Sequence, residues 1–75
     1  MHVHQELDTS GLNCPLPILK TKKALSSMQS GEILRVRSTD PGASIDFQAF
    51  AKQTGHVLLE NSASGQEFVF VLQRK

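Results

Sequence analysis

One cysteine, Cys14, stands in the run Cys14-Pro15-Leu16-Pro17, and no other stretch of the 75 residues offers a comparable nucleophile. Two prolines one residue apart fit a helix only in its first turn, where the amides have no intrahelical acceptor and their loss breaks no bond. The spacing predicts Pro15 at the first helical position, Pro17 at the third, and Cys14 at or next to the N-cap. There the positive end of the helix macrodipole stabilises a thiolate over a thiol. Pro15 and Pro17 have no N–H, which leaves the amides of Cys14 and Leu16 as donors near the sulfur. Lys20, Lys22 and Lys23 add cationic charge further along the helix. Together these features predict a Cys14 pKa below the reference of roughly 8.5.

A lone cysteine also serves as a buried apolar filler in many small domains. Helix starts, however, are usually surface features, which leaves the filler and the reactive thiol evenly matched here. A single cysteine makes no internal disulfide, runs no dithiol cycle within one chain, and builds no metal cage alone. His2 and His4 are too few and too close together for a metal site, and no metal or cofactor is expected. His56 opens a later strand and has no fixed relation to Cys14 in the sequence. A Cys–His hydrolase on so short a chain would lack walls for a substrate pocket. A thiol without pocket, base or resolving cysteine can still accept a group, hold it and hand it on. That chemistry belongs to a carrier.

The elements that position Cys14 follow from periodicity and punctuation. Residues 3–8 alternate loosely as a first strand, ended by Thr9-Ser10-Gly11. Over 16–29, Ile18, Leu25 and Met28 share a helical face with Thr21 in the gap, and Gly31 follows as a stop. Over 32–39, Leu34, Val36 and Ser38 share one side of a strand, and Ile33, Arg35 and Arg37 the other. Asp40-Pro41-Gly42 reads as a turn, or as a cap with proline at the first helical position. Residues 43–54 carry Phe47, Phe50 and Ala51 at helical spacing and close at Gly55. Asp46 sits early in that helix, where the dipole alone explains a carboxylate. Segments 57–61 and 67–72 form an antiparallel hairpin through residues 62–66. The predicted fold is α+β: a two-layer sandwich in the order βαβαββ, both helices on one face of a four-stranded mixed sheet. Arg35 and Arg37 favour a solvated second face.

Length and charge narrow the function classes. Seventy-five residues leave room for one domain, spanning 1–75, with a thin stability margin. The composition, 39% hydrophobic and 20% charged, is that of a globular domain rather than a disordered one. With four Phe and no Trp or Tyr, the core is expected to be mostly aliphatic. A net charge of +1 is too small for a dedicated polyanion binder, so no direct nucleic-acid contact is expected. No apolar run reaches the ~18 residues of a membrane span, and the first residues lack a signal-peptide core. A cytoplasmic chain, monomeric when free, is the expectation.

The run from Gly11 through Leu12, Asn13, Cys14, Pro15, Leu16, Pro17, Ile18 and Leu19 to Lys20 resembles the cysteine (CPxP) motif of the TusA, or SirA-like, family of small sulfur-carrier proteins. Lys23-Ala24-Leu25, Gly31-Glu32, Thr39-Asp40-Pro41, Asp46 and Gly55-His56 continue the likeness over about residues 7–72. The resemblance implies the same βαβαββ sandwich and a persulfide formed on Cys14. It implies a cysteine desulfurase or rhodanese-type donor and an acceptor cysteine on a further relay protein. The default outcome in such a family is 2-thiolation of tRNA wobble uridine, with sulfur oxidation and molybdenum cofactor maturation as other branches. Such a protein is a sulfurtransferase-type carrier rather than a stand-alone enzyme.

Support for the site would come from Pro15 and Pro17, while Lys20, Lys22 and Lys23 read equally as an ordinary solvated face or as a docking site for an acidic partner surface. The alternative is a non-catalytic RNA- or protein-binding module using Arg35, Arg37 and the lysines. The low charge and lack of stacking aromatics weigh against RNA. A redox-sensing thiol is a third reading, with no residue specific to it.

Overall fold

A computed structural model describes residues 2–75. The elements are β1 (Gln5–Thr9), α1 (Leu16–Ser26), β2 (Ile33–Ser38), α2 (Ala43–Thr54), β3 (Val57–Ser64) and β4 (Glu67–Gln73). The sheet order is β1-β2-β4-β3. β1 runs parallel to β2, and β4 pairs antiparallel with both β2 and β3. Both helices pack on one face and meet side by side, as the α+β two-layer reading requires.

Alternation along β2 divides the molecule into a dry side and a wet side. Leu34, Val36 and Ser38 are fully buried beneath the helices, with Phe70 and Leu72 of β4 beside them. Leu25 descends from α1, Met28 from the turn after it, and Phe47 and Phe50 from α2. At the centre Phe47 stacks on Phe70, ring centroids 4.2 Å apart and nearly coplanar in tilt at 8°. The expected aliphatic core thus has an aromatic pair at its heart. On the opposite face Arg35 pairs with Glu6 at 2.9 Å, and Arg37 reaches Asp8 at 3.8 Å and Glu67 at 3.6 Å. That polar ladder is the solvated face expected from Arg35 and Arg37, although each exposed pair adds at most about 1 kcal/mol.

Several boundaries differ from expectation for local reasons. β1 starts at Gln5 rather than residue 3, yet His4 is tied down: its amide donates to the Ile33 carbonyl at 2.8 Å and its Nδ1 accepts from the Ile33 amide at 3.0 Å. α1 ends at Ser26, not residue 29, because the Ser27 amide and hydroxyl both donate to the Ala24 carbonyl and close the turn. Met28 still reaches the core from the following turn. β3 extends to Ser64, which shortens the hairpin loop to Gly65 and Gln66. Thr21, the polar gap in the apolar face of α1, is fully buried and donates its hydroxyl to the Pro17 carbonyl at 2.8 Å. Bonding back one turn removes the cost of burying that hydroxyl. Of the two readings of Asp40-Pro41-Gly42, the turn is correct: the Ala43 amide donates to the Asp40 carbonyl at 3.0 Å, and Gly42 is the N-cap.

Candidate functional site

β1 and β2 are parallel, and β3 is antiparallel to β4 as β4 is to β2. Each helix runs back across the sheet after its strand, so both helices begin at the same end of the sheet, where β1 and β2 finish. This topology brings Cys14, at the start of α1, beside the first turns of α2.

The segment carrying Cys14 is held by backbone bonds at both ends. Ser10 donates its amide to Asp8 Oδ1 at 2.9 Å, and Leu12 donates to the Thr9 carbonyl at 3.1 Å. Gly11, with φ at +82°, turns the chain and donates to Thr39 Oγ1 at 2.8 Å, which fastens the loop to the end of β2. The helix starts one residue later than expected. Pro15 is the N-cap, with φ −98° and ψ 14°, and Pro17 is the second helical residue. The Leu19 amide makes the first helical bond, to the Pro15 carbonyl at 3.1 Å. Pro17 is buried and anchors the helix start, whereas Pro15 is exposed next to the cysteine. The Leu16 amide donates to the Asn13 carbonyl at 2.8 Å, so it is not the free donor expected near the sulfur.

Cys14 is exposed. It lines an open depression with Pro15 and Ile18 on one side and Asp46, Ala49, Phe50 and Gln53 of α2 on the other. Those four α2 residues fall at i, i+3, i+4 and i+7, a single helical stripe. Asp46 lines the same depression as Cys14, from α2. The Asp46 carboxylate as hydrogen-bond acceptor first, then lost hydration, then the negative charges of Asp46 and Asp40 push the Cys14 thiol pKa above its ordinary value. This overturns the expected lowering. A hydrogen bond to Asp46 favours the protonated thiol, and the neighbouring carboxylate charges act in the same direction.

The lysines do not gather at the sulfur either, and none acts on its titration. Lys20 and Lys23 line a surface depression with Gln5 and Leu7, toward β1. Lys22 lies at the far end of the helix pair with His56 and Arg74. His56 follows the C-cap Gly55 and does not line the depression that holds Cys14. Its Nδ1 accepts the Lys75 amide at 3.0 Å, and burial first, then Arg74 and Lys75, lower its pKa. His56 is therefore no partner for the thiol. Among the described residues no three His, Cys, Asp or Glu side chains gather to hold a metal ion. Among the same residues no helix is long and apolar enough to cross a membrane.

Asp46 is the residue that the sequence reading left unassigned to the site. Its position early in α2, together with a topology that starts both helices at one end of the sheet, was the available signal.

The fold and the site define a class: a two-layer α+β domain presenting one thiol at a proline-bounded helix start. The chain matches the family described as sulfurtransferase TusA over residues 5–74, and it belongs to that family, a family of sulfur carriers. It is 57% identical over 70 residues to the sulfur carrier protein TusA of Allochromatium vinosum, covering 93% of this chain and 92% of that one. A putative sulfur carrier protein of Neisseria meningitidis is 55% identical over 71 residues, covering 95% of this chain and 96% of that one. The crystal structure of a SirA-like protein from Desulfitobacterium hafniense superposes with a TM-score of 0.80 at 21% identity, over 92% of this chain and 95% of that one, and shares the fold.

Proposed function

We propose that the chain, acting as one domain, carries sulfane sulfur as a persulfide on Cys14 between a donor enzyme and an acceptor protein. The observation that carries this reading is the exposure of its single thiol in an open depression, within a chain of the sulfur-carrier family. Loading begins when Cys14 Sγ attacks the outer sulfur of a donor persulfide, R–S–SH. The Cys14 Sγ–S bond forms, the donor S–S bond breaks, and the sulfur moves as a neutral atom without net oxidation. The proton lost by Cys14 ends on the departing donor thiolate. Unloading repeats the exchange, with an acceptor thiolate attacking the outer sulfur and Cys14 as leaving group. An open site suits this chemistry, because two different partners must reach one atom in turn.

A cysteine desulfurase, or a rhodanese-type protein, is the proposed donor. The proposed default acceptor feeds tRNA 2-thiouridine synthesis in the cytoplasm, where reducing conditions keep an exposed thiol available. Pro15 and Pro17 set the helix start that presents Cys14, and Lys20, Lys22 and Lys23 are reserved for contacts with acidic partner surfaces.

The test is intact mass after incubation with a cysteine desulfurase and cysteine, and separately with a rhodanese and thiosulfate. The wild type gains one sulfur, removable by reductant, and Cys14→Ser gains none. Loading of Cys14→Ser, or no loading of the wild type by either donor, refutes the reading. RNA binding that survives loss of Cys14 would instead favour the binding-module reading.

A further inference from the structure

Asp46 forms no ion pair with any described residue. Among the described residues the ion pairs engage Glu6, Asp8 and Glu67, all on the outer sheet face, and none involves Asp46 or Asp40. Lys20 and Lys23 face β1, Lys22 faces His56 and Arg74, and among the described residues no basic side chain lines the depression that holds Cys14 and Asp46. Asp40 lies at the same edge, its Oδ1 occupied by the Gly42 amide at 3.4 Å and its Oδ2 desolvated without a partner. Nearby on the chain, Leu16 is 44% exposed and Ile45 is 76% exposed, the latter directly before Asp46. An unpaired carboxylate across from the reacting sulfur, next to exposed apolar side chains, is a poor design for a permanently activated thiol. It suits one that reacts only when something neutralises the carboxylate.

We infer that Asp46 is a positioning residue for sulfur transfer: across the depression from Cys14, it restrains the sulfur in the free carrier and seats a cationic group that the donor or acceptor carries beside its own reactive sulfur. This rests on the carrier reading above. Until a guanidinium or ammonium group arrives, the carboxylate disfavours negative charge on Cys14 Sγ, which slows attack by the thiol. It also slows departure of Cys14 from its persulfide, since a thiol that holds its proton tightly is a poor leaving group. One residue thus discourages both stray modification of the empty carrier and stray unloading of the charged one. A partner cation relieves both at docking. The lysines of α1 then serve contacts elsewhere on the partner, so the partner surface is mixed in charge, basic where it meets α2.

Thiol–disulfide exchange with small charged disulfides reads this directly, without any partner protein. The probes are cystamine (cationic), bis(2-hydroxyethyl) disulfide (neutral) and 3,3′-dithiodipropionate (anionic). In each case Cys14 Sγ forms the mixed disulfide, the probe S–S bond breaks, and one probe thiol is released. Rates at low ionic strength are divided by those of N-acetylcysteinamide with the same probe. The wild type should favour cystamine over the neutral probe by about fivefold, the scale for unit charges a few Å apart in water. The anionic probe should be slowest. Asp46→Asn and Asp46→Ala should bring the three normalised rates together, while Glu6→Gln, on the opposite face, should leave the preference intact.

Alkylation by neutral iodoacetamide should also shift its pH midpoint downward in Asp46→Asn, a change that a merely structural role would not produce. Equal normalised rates in the wild type, or an unchanged preference in both Asp46 variants with native circular dichroism, would overturn the inference. Sulfur loading by mass is a separate readout. Its failure with the charge preference intact would remove the carrier reading and leave the Cys14–Asp46 coupling standing.

Discussion

Replacing Gly11 by alanine isolates how backbone conformation presents the thiol. Gly11 has φ +82°, and an added Cβ would meet nothing within 4 Å. Steric crowding by neighbours is therefore absent, and the cost is that of placing an L-residue in the left-handed region, about 1–2 kcal/mol. Asn visits that region more readily than Ala, so Gly11→Asn should cost less than Gly11→Ala. For a chain this small a urea m-value of about 1 kcal/mol/M turns the alanine cost into a midpoint lowered by roughly 1–2 M. The Gly11 amide is held by Thr39 Oγ1 at 2.8 Å, so a chain that relaxes its φ must release that bond and move the loop before Cys14. The assay is urea unfolding followed by circular dichroism, with iodoacetamide alkylation of the folded variants alongside. A Gly11→Ala midpoint within about 0.3 M of wild type, or Asn proving more costly than Ala, would refute the argument that positive φ governs this position.

Two further outcomes follow from the core and from the far end of α2. Phe47 is fully buried against Phe70, so Phe47→Ala should lose about 3–5 kcal/mol. That is a large share of the roughly 4–11 kcal/mol available to a chain of this length, so the thermal transition should drop sharply or vanish, while Phe47→Leu should still fold cooperatively. The His56 pKa is lowered on folding from 6.5, so below that value the unfolded chain binds more protons than the folded one. Stability is then fully present above about pH 6.5 and is lost as pH falls through the folded value, and His56→Gln should flatten that part of a stability-versus-pH curve measured by urea midpoints. A curve of equal slope in the variant would assign the acid sensitivity to carboxylates instead.

The element order was legible because each element carries its own local signal. Strand β2 alternates between core residues and arginines, α2 repeats Phe47 and Phe50 at helical spacing, and Gly55 adopts φ +84° as the left-handed stop expected after a helix. Boundaries were less legible where side chains and the backbone compete for the same groups. Ser27 ended α1 three residues early, and a two-residue turn at Gly65 let β3 run on to Ser64. The cysteine at the helix start and the two prolines after it were also visible, since they depend only on neighbours in sequence.

What the sequence determined by itself was the inventory: one thiol, a proline-bounded helix start, a polar outer sheet face and a βαβαββ order. What only tertiary structure decided was the company Cys14 keeps. Parallel pairing of β1 with β2, and the common direction of the two helices, set Asp46 against a cysteine 32 positions away and sent Lys20, Lys22 and Lys23 elsewhere. Local rules weighed a helix dipole and nearby lysines and so predicted a more acidic thiol. The folded chain reverses the sign, because electrostatic interactions fall off with distance in space and take no account of separation along the chain.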